Sequence, residues 1–329
     1  MRSYRKIRNP AIFQGSLTKR SYYEGWYFKC VNHKLNSVLA FIPTVALNKD
    51  KYQKTCFIQI LDGISSKVYY IEYPIKEFWG SNSQFLIKIG NSYFSKDRIK
   101  LDIDHNNTTI KGEITFMEQT PIPNSLISPG AMGPFSYLPF MQTYHGIISM
   151  NHQIRGNLNL NNQEIIYEQG SKGYIEKDWG SSFPDAWIWM QTNHFKEKPK
   201  SFMLSIAEIP WMGLKFIGFL SFLLDGKKIY RFATYTGAKI RIIEFGKDYV
   251  DLIIEDKKNI LVVKAKRGRS ASLKAPNLGS MTSRSIESID STILVQLYKK
   301  DSKNFKNELV FEDKGKFAGL ELMKVENLI

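Results

Sequence analysis

Cysteine is scarce in this chain. Cys30 and Cys56 are the two thiols in 329 residues, both lie among apolar, strand-like neighbours, and no CxxC or Cys/His cluster accompanies them. Two buried free thiols are expected, and no structural zinc site. His33, His105, His152 and His194 have no metal-ligand spacing, so no metal and no cofactor is expected. No GxGxxG, phosphate loop, Ser-His-Asp or Cys-His arrangement stands out, and no βαβ rhythm appears. A doubly wound nucleotide-binding fold is thereby excluded. Long apolar runs are also missing. Met203 to Leu224 comes nearest, but Glu208, Pro210, Gly213 and Lys215 interrupt it. It reads as two buried strands around a turn at Pro210-Trp211-Met212-Gly213, not as a bilayer span. The basic start, Met1 to Lys6, is followed by no apolar h-region, which speaks against a secretory signal and for a cytoplasmic protein.

Acidic charge is in short supply as well: 31 Asp and Glu face 46 Lys and Arg, a formal net charge of +15. The excess is scattered, and its one compact run, Lys264 to Arg269, is loop-sized. Without a helix-turn-helix, zinc-finger or ribonucleoprotein pattern, no nucleic-acid partner is expected. A solvated basic surface and peripheral contact with an anionic membrane are the remaining readings.

What is present is a two-residue period. Ile110, Ile114 and Phe116 share one parity, as do Ile293, Val295 and Leu297, the alternation of half-buried antiparallel strands. Ser37 to Ala46 and Lys54 to Leu61 read as more fully buried strands. Asp225-Gly226, Asn106-Asn107 and Asn161-Asn162 are hairpin signals between such runs. Aromatics make up 13%, suited to strands and to lining an apolar pocket. The expectation is an all-β chain of two antiparallel barrel or sandwich halves packed side by side, residues 1–160 and 161–329. Between 120 and 141 the pattern breaks at Pro121, Pro123, Pro129, Pro134 and Pro139. Ile122, Leu126, Ile127, Met132, Phe135, Tyr137, Leu138 and Phe140 make this stretch too apolar for a solvated tether, so a lid or plug over a pocket is expected.

Two stretches depart from plain strand composition. Tyr22 to Lys29 sets Glu24 and Gly25 among five aromatics. Gly173 to Pro184 brackets Glu176-Lys177-Asp178 with Tyr174 and Trp179, and Trp187, Trp189, Gln191 and Asn193 follow on one strand parity. Together these stretches resemble the signatures of tocopherol cyclase and its bacterial relatives, an EGWYF entry strand and an EKxWG…FPxxWxWxQxN centre. Weaker echoes occur at Phe78-Trp79-Gly80, before His145, and at Leu273 to Pro276. The resemblance implies two lipocalin-like halves and, for characterised members, ring closure on a prenylated quinol. The family's Asn in the EKxW motif stands here as Asp178.

Closing a phenol onto an alkene requires a proton delivered to carbon while oxygen attacks the tertiary centre. That needs a carboxyl in an apolar site, aromatic faces for the developing cation and polar groups for the phenol. Asp178, Glu176 and Glu24 are the candidate acids. Tyr23, Trp26, Tyr174, Trp179, Trp187 and Trp189 are the candidate faces, and His145, Gln191 and Asn193 the orienting groups. Each has a structural alternative: an ion-pair knot for Glu176-Lys177-Asp178, backbone capping for Glu24, ordinary core for the tryptophans. Two functions are therefore carried forward. One is an acid-catalysed cyclase, hydratase or isomerase acting on a prenylated quinol or other isoprenoid-type molecule, and the other is a binding protein for such a ligand.

Overall fold

The computed structural model describes residues 4–49, 54–139, 141–196, 199–211, 213–300 and 307–329, apart from the side chains of Ser283 and Arg284. Phe140, Met212 and the first three residues lie outside that set. After a five-residue helix, α1 (Tyr4–Arg8), nearly all regular structure is strand. The chain divides into two compact units: residues 1–183 with 272–284, and residues 184–271 with 285–329. The chain thus crosses between them three times, against the single boundary at 160/161 expected from sequence.

Unit 1 contains β1 (Tyr22–Val31), β2 (Val38–Leu47), β3 (Lys54–Asp62), β4 (Val68–Pro74), β5 (Phe78–Gly80), β6 (Leu86–Ile89), β7 (Ser92–Ser95), β8 (Arg98–His105), β9 (Thr108–Met117), β10 (Thr143–Leu160), β11 (Gln163–Tyr167) and β12 (Lys172–Gly180). Its sheet runs β4-β3-β2-β1-β12-β10-β9-β8-β7-β6-β5, with β11 paired to β10. The outermost strands, β4 and β5, are consecutive in sequence and joined by one turn of 3₁₀ helix, Ile75–Glu77. The sheet is therefore wound until the chain itself links its ends, although no ladder joins β4 to β5 among the described residues. Twist permits this winding.

Unit 2 follows the same plan. It comprises β13 (Trp187–Thr192), β14 (Lys200–Trp211), β15 (Leu214–Asp225), β16 (Lys228–Ala233), β17 (Lys239–Phe245), β18 (Tyr249–Glu255), β19 (Asn259–Lys266), most of β21 (Ser280–Lys299) and β22 (Glu308–Met323), while β20 (Ala271–Asn277) lies almost wholly in unit 1. The order is β16-β15-β14-β13-β22-β21-β19-β18-β17. Again the outermost strands are sequence neighbours, linked by Thr234–Thr236, and again the first strand pairs with the last. The two units repeat one topology without repeating a sequence, and each has the lipocalin-like antiparallel character expected.

Local chemistry explains the turns. Asn106 and Asn107, and Asn161 and Asn162, all adopt positive φ, the requirement of a tight type I′ hairpin loop. The interior of unit 1 is aromatic: Phe28 packs on Phe85, Phe94 and Phe116. Unit 2 is filled by Ile188, Met190, Leu204, Phe219, Val263 and Leu320 among others. The stretch from Met203 to Leu224 is the hairpin β14–β15, as expected, but its tip is not buried: Leu214 is 74% exposed. No helix among the described residues is long and apolar enough to cross a membrane.

One interior side chain sets a stability limit. His152 is fully buried beside Phe116, with Ser149 Oγ 3.0 Å from Nδ1 and Gly173 directly against its ring. A Cβ at Gly173 would come within 2.2 Å of the imidazole, which explains the glycine in this strand. Burial pushes the imidazole down to about 3. Folded His152 thus stays neutral, while the unfolded chain takes up a proton below its ordinary value of about 6.5. The stability it permits is complete above that value and is lost as pH falls toward 3. Between pH 7 and pH 5 the His152→Leu variant should lose about 2 kcal/mol less stability than wild type in urea unfolding. Equal losses would show that His152 does not limit stability.

Candidate active site

Strand β12 is the middle of a three-stranded ladder, with β1 on one side and β10 on the other. Because side chains alternate, Tyr174, Glu176 and Asp178 project to one face while Ile175, Lys177 and Trp179 project to the other. Two different polar centres result.

The interior face holds Lys177 and Glu24, both fully buried, with Nζ 2.5 Å from Glu24 Oε1. Lys177 also donates to the carbonyls of Pro10 and Ile12 at 2.8 and 2.6 Å and lies over the rings of Trp26 and Trp179. Glu24 accepts from the amides of Gln14 and Gly15 at 2.7 and 2.9 Å and from Tyr22 Oη at 2.5 Å. Trp26 Nε1 donates to Ala11 O. Residues 10–15 therefore form a strap laid across this face and fastened by one ion pair. Glu24 has the backbone-capping role weighed from sequence: it holds the Lys177 ammonium, two main-chain amides of the strap and a tyrosine of its own strand.

The opposite face gathers His145 from β10 with Glu176 and Asp178. His145 stands opposite Asp178 in the ladder, and its Nδ1 lies 2.8 Å from Asp178 Oδ1. Its Nε2 makes no hydrogen bond and lies 3.5 Å from Glu176 Oε2. Tyr174 Oη donates to that same oxygen at 2.6 Å. Tyr23, two residues from Gly25 and thus on the same face, shares a short hydrogen bond with Thr143 Oγ1. Burial pushes the tyrosines well above their ordinary range, Asp178 and Glu176 adding to the effect, so both stay protonated. Burial opposes charge on His145, yet Asp178 and Glu176 outweigh it and bring the imidazole up to about 9. At neutral pH His145 is therefore an imidazolium, held between Asp178 and Glu176. Asp178 is the most open of the three, at 28% side-chain exposure against 10% and 5% for His145 and Glu176.

These three groups also offer donor atoms within 4.8 Å of one another, making them a set that could hold a metal ion. Hydrogen bonds to His145 and Tyr174 engage both carboxylates in the geometry described.

The structure thus brings together Tyr23, His145, Tyr174, Glu176 and Asp178. It places Glu24, Trp26 and Trp179 on the reverse of the sheet. Trp187, Trp189, Gln191 and Asn193 belong to unit 2, buried on or beside β13, where Trp187 Nε1 donates to Glu321 Oε2 at 2.6 Å and Ser285 hydroxyl to Glu321 Oε1. Sequence reasoning missed Thr143, and it named Met132 only as part of the proline-rich lid or plug, not as a neighbour of His145. The two-residue spacing of Thr143 and His145 was a legible sign of a shared face, but no local pattern announces that the His145 amide meets Met132 Sδ at 3.2 Å. Met132 and Ile122 anchor the proline-rich segment through buried side chains, whereas Leu126 and Ile127 are exposed. Unit 1 also has an open cavity of about 1510 Å³ with a mixed lining, charged at Arg8, Lys96, Arg98 and Glu113 and apolar at Phe116 and Ile122, that does not include the His145 trio.

A family model for tocopherol cyclase-like proteins matches residues 108–323, a stretch that includes His145, Glu176 and Asp178. No curated protein sequence matches the chain. Among solved structures, CghA with Sch210972 is similar over 92% of this chain and 89% of its own, at 10% identity and a TM-score of 0.52. Kievitone hydratase from Nectria haematococca is similar over 98% of this chain and 93% of its own, at 10% identity and a TM-score of 0.51. At such identities the likeness is one of fold.

Removing one member of the interior pair strands a buried charge. Glu24→Gln or Lys177→Met should each cost about 3–5 kcal/mol in chemical denaturation, and the double variant less than the sum. Losses below about 1 kcal/mol would show that the strap does not depend on the pair.

Proposed function

The chain belongs to the tocopherol cyclase-like family, and from that membership we propose that it is an enzyme that adds a proton to a double bond of a prenylated quinol or other isoprenoid-type substrate. The observation that carries this reading is the His145 imidazolium clamped between Asp178 and Glu176 beside two protonated tyrosines. Kinship of fold with a protein named as a hydratase supports addition across a double bond as the reaction type.

His145 is the proton store and Asp178 the group that meets substrate. The proton passes along the 2.8 Å bond from Nδ1 to Asp178 and from there to the less substituted alkene carbon, forming a C–H bond. The tertiary centre is then attacked by the substrate's own hydroxyl (cyclisation) or by water (hydration), or it loses a neighbouring proton (isomerisation). In each case the released proton returns to the trio, which ends as it began. Glu176, held by Tyr174, keeps the imidazole charged and oriented, acting through His145 and not on substrate. Tyr23 offers an O–H near Asp178 to orient a substrate oxygen.

The test uses an identified substrate, found by mass spectrometry of an organic extract of the protein from its own host. Asp178→Asn and His145→Gln should each lower kcat/KM by about 10²–10⁴. Wild-type turnover should fall as pH rises through about 9, where His145 gives up its proton. Full turnover by Asp178→Asn would remove that residue from the role. Loss of turnover on chelation, restored by a divalent cation, would transfer the chemistry to a metal held by the same three groups. Recovery of an unchanged ligand after long incubation would favour the second reading, a carrier using the cavity of unit 1.

A further inference from the structure

The chemistry assigned to His145 makes no use of the open cavity of unit 1, whose walls come from three stretches of chain. The strap supplies one wall through Pro10 and Ala11, the proline-rich segment a second through Pro121 to Asn124, and strands β7 to β9 the third. Asn124 Nδ2 donates to the Arg8 carbonyl at 2.6 Å and ties the first two walls together. Between β9 and the proline-rich segment the chain turns at Glu118, which also lines the cavity and has a φ of 56°. That is the left-handed region, where a residue other than glycine is strained, and such positions gather at binding sites.

The lining has two chemistries. Phe85, Phe116, Ile122 and Ile147 are buried side chains and make an apolar floor. The remainder carries four cations, Arg8, Lys96, Arg98 and Lys100, against the acids Asp97, Glu113 and Glu118. These acids are already engaged. Arg98 bonds Glu113 at 2.9 Å and lies 3.7 Å from Asp97, which also accepts the Ser95 hydroxyl at 2.6 Å. Glu118 accepts from Gln153 Nε2 at 2.8 Å. Arg8, Lys96 and Lys100 are exposed and have no carboxylate partner among the described residues.

We propose that this cavity binds an amphiphile with an anionic head, its apolar chain against Phe85, Phe116 and Ile122 and its carboxylate or phosphate drawn to the cations of the rim. A free inorganic anion would leave the apolar floor in water, and an uncharged lipid would leave the cations unmatched. The volume of about 1510 Å³ exceeds the roughly 300–1,000 Å³ of ordinary small-molecule sites, which leaves room for a long chain.

The experiment is isothermal titration calorimetry of the full chain with decanoate and decyl phosphate, with decanol and inorganic phosphate as controls. Wild type should bind at least one of the two anionic amphiphiles about tenfold or more tightly than decanol, and less tightly at high salt. A preference between them identifies the head as carboxylate or phosphate. Shortening the chain from decyl to octyl should weaken binding about tenfold. The double variant Lys96→Glu with Lys100→Glu, at two exposed positions, should weaken the anionic ligand about tenfold or more and leave decanol unaffected. Circular dichroism checks that this variant is folded. Absence of binding by wild type, equal affinity for decanol, inorganic phosphate binding as tightly as decyl phosphate, or a folded double variant that binds as wild type does would each overturn the site. Calorimetry reads binding without turnover, and the His145 trio does not line the cavity, so the outcome is separate from the chemistry assigned there.

Discussion

An ammonium group in a protein interior has to be neutralised, and in unit 1 that requirement is met at Lys177. Glu24 supplies the charge, Pro10 and Ile12 supply acceptors, and Trp26 and Trp179 supply aromatic faces. Glu24 and Lys177 come from β1 and β12, and the carbonyls from the strap before β1. One buried pair therefore fastens the β1–β12 ladder in the middle of the sheet and the segment lying across it. Removing either partner leaves an unpaired charge where water cannot reach it, which is far more costly than never having had the pair.

The candidate site is the reverse side of that same ladder. Side-chain alternation along β12 sends Lys177 inward and its neighbours Glu176 and Asp178 the other way, where β10 brings His145 to meet them. Three consecutive charged residues thus divide between the two faces: the middle one holds the strap and Glu24, and the flanking two meet His145. The pair and the trio are coupled through the backbone of β12: a slip of one residue by β12 against both β1 and β10 would exchange its faces and destroy both.

Much of this was legible in sequence. Period-two alternation, the Asn-Asn and Asp-Gly turns, and the absence of any βαβ rhythm point to all-β architecture because those signals depend on near neighbours along the chain. The odd composition of Tyr22–Lys29 and Gly173–Pro184 marked the strands that carry the paired buried acids, since burying acids among aromatics is costly unless they are paired. Less legible was which acid belonged to which face. Glu24, Glu176 and Asp178 look alike in one dimension, and the strand parity of Glu24 says nothing about that of Asp178 until the pairing of β1 with β12 is known. The buried reading of Met203–Leu224 failed at its tip for a related reason: hydrophobicity does not record where neighbouring strands stop.

By itself the sequence determined the strands, the turns, the two-part scale and the residues with unusual chemistry, all of which follow from local sterics and from alternation of apolar and polar side chains. Tertiary structure alone decided that the first strand of each unit pairs with its last, that the units interleave in sequence at 183, 271 and 284, and that His145 rather than Glu24 joins Glu176 and Asp178. These choices rest on contacts between residues more than a hundred positions apart or on adjacent strands of a wound sheet. Their energies depend on which groups are buried together, a quantity that exists only once the chain has folded.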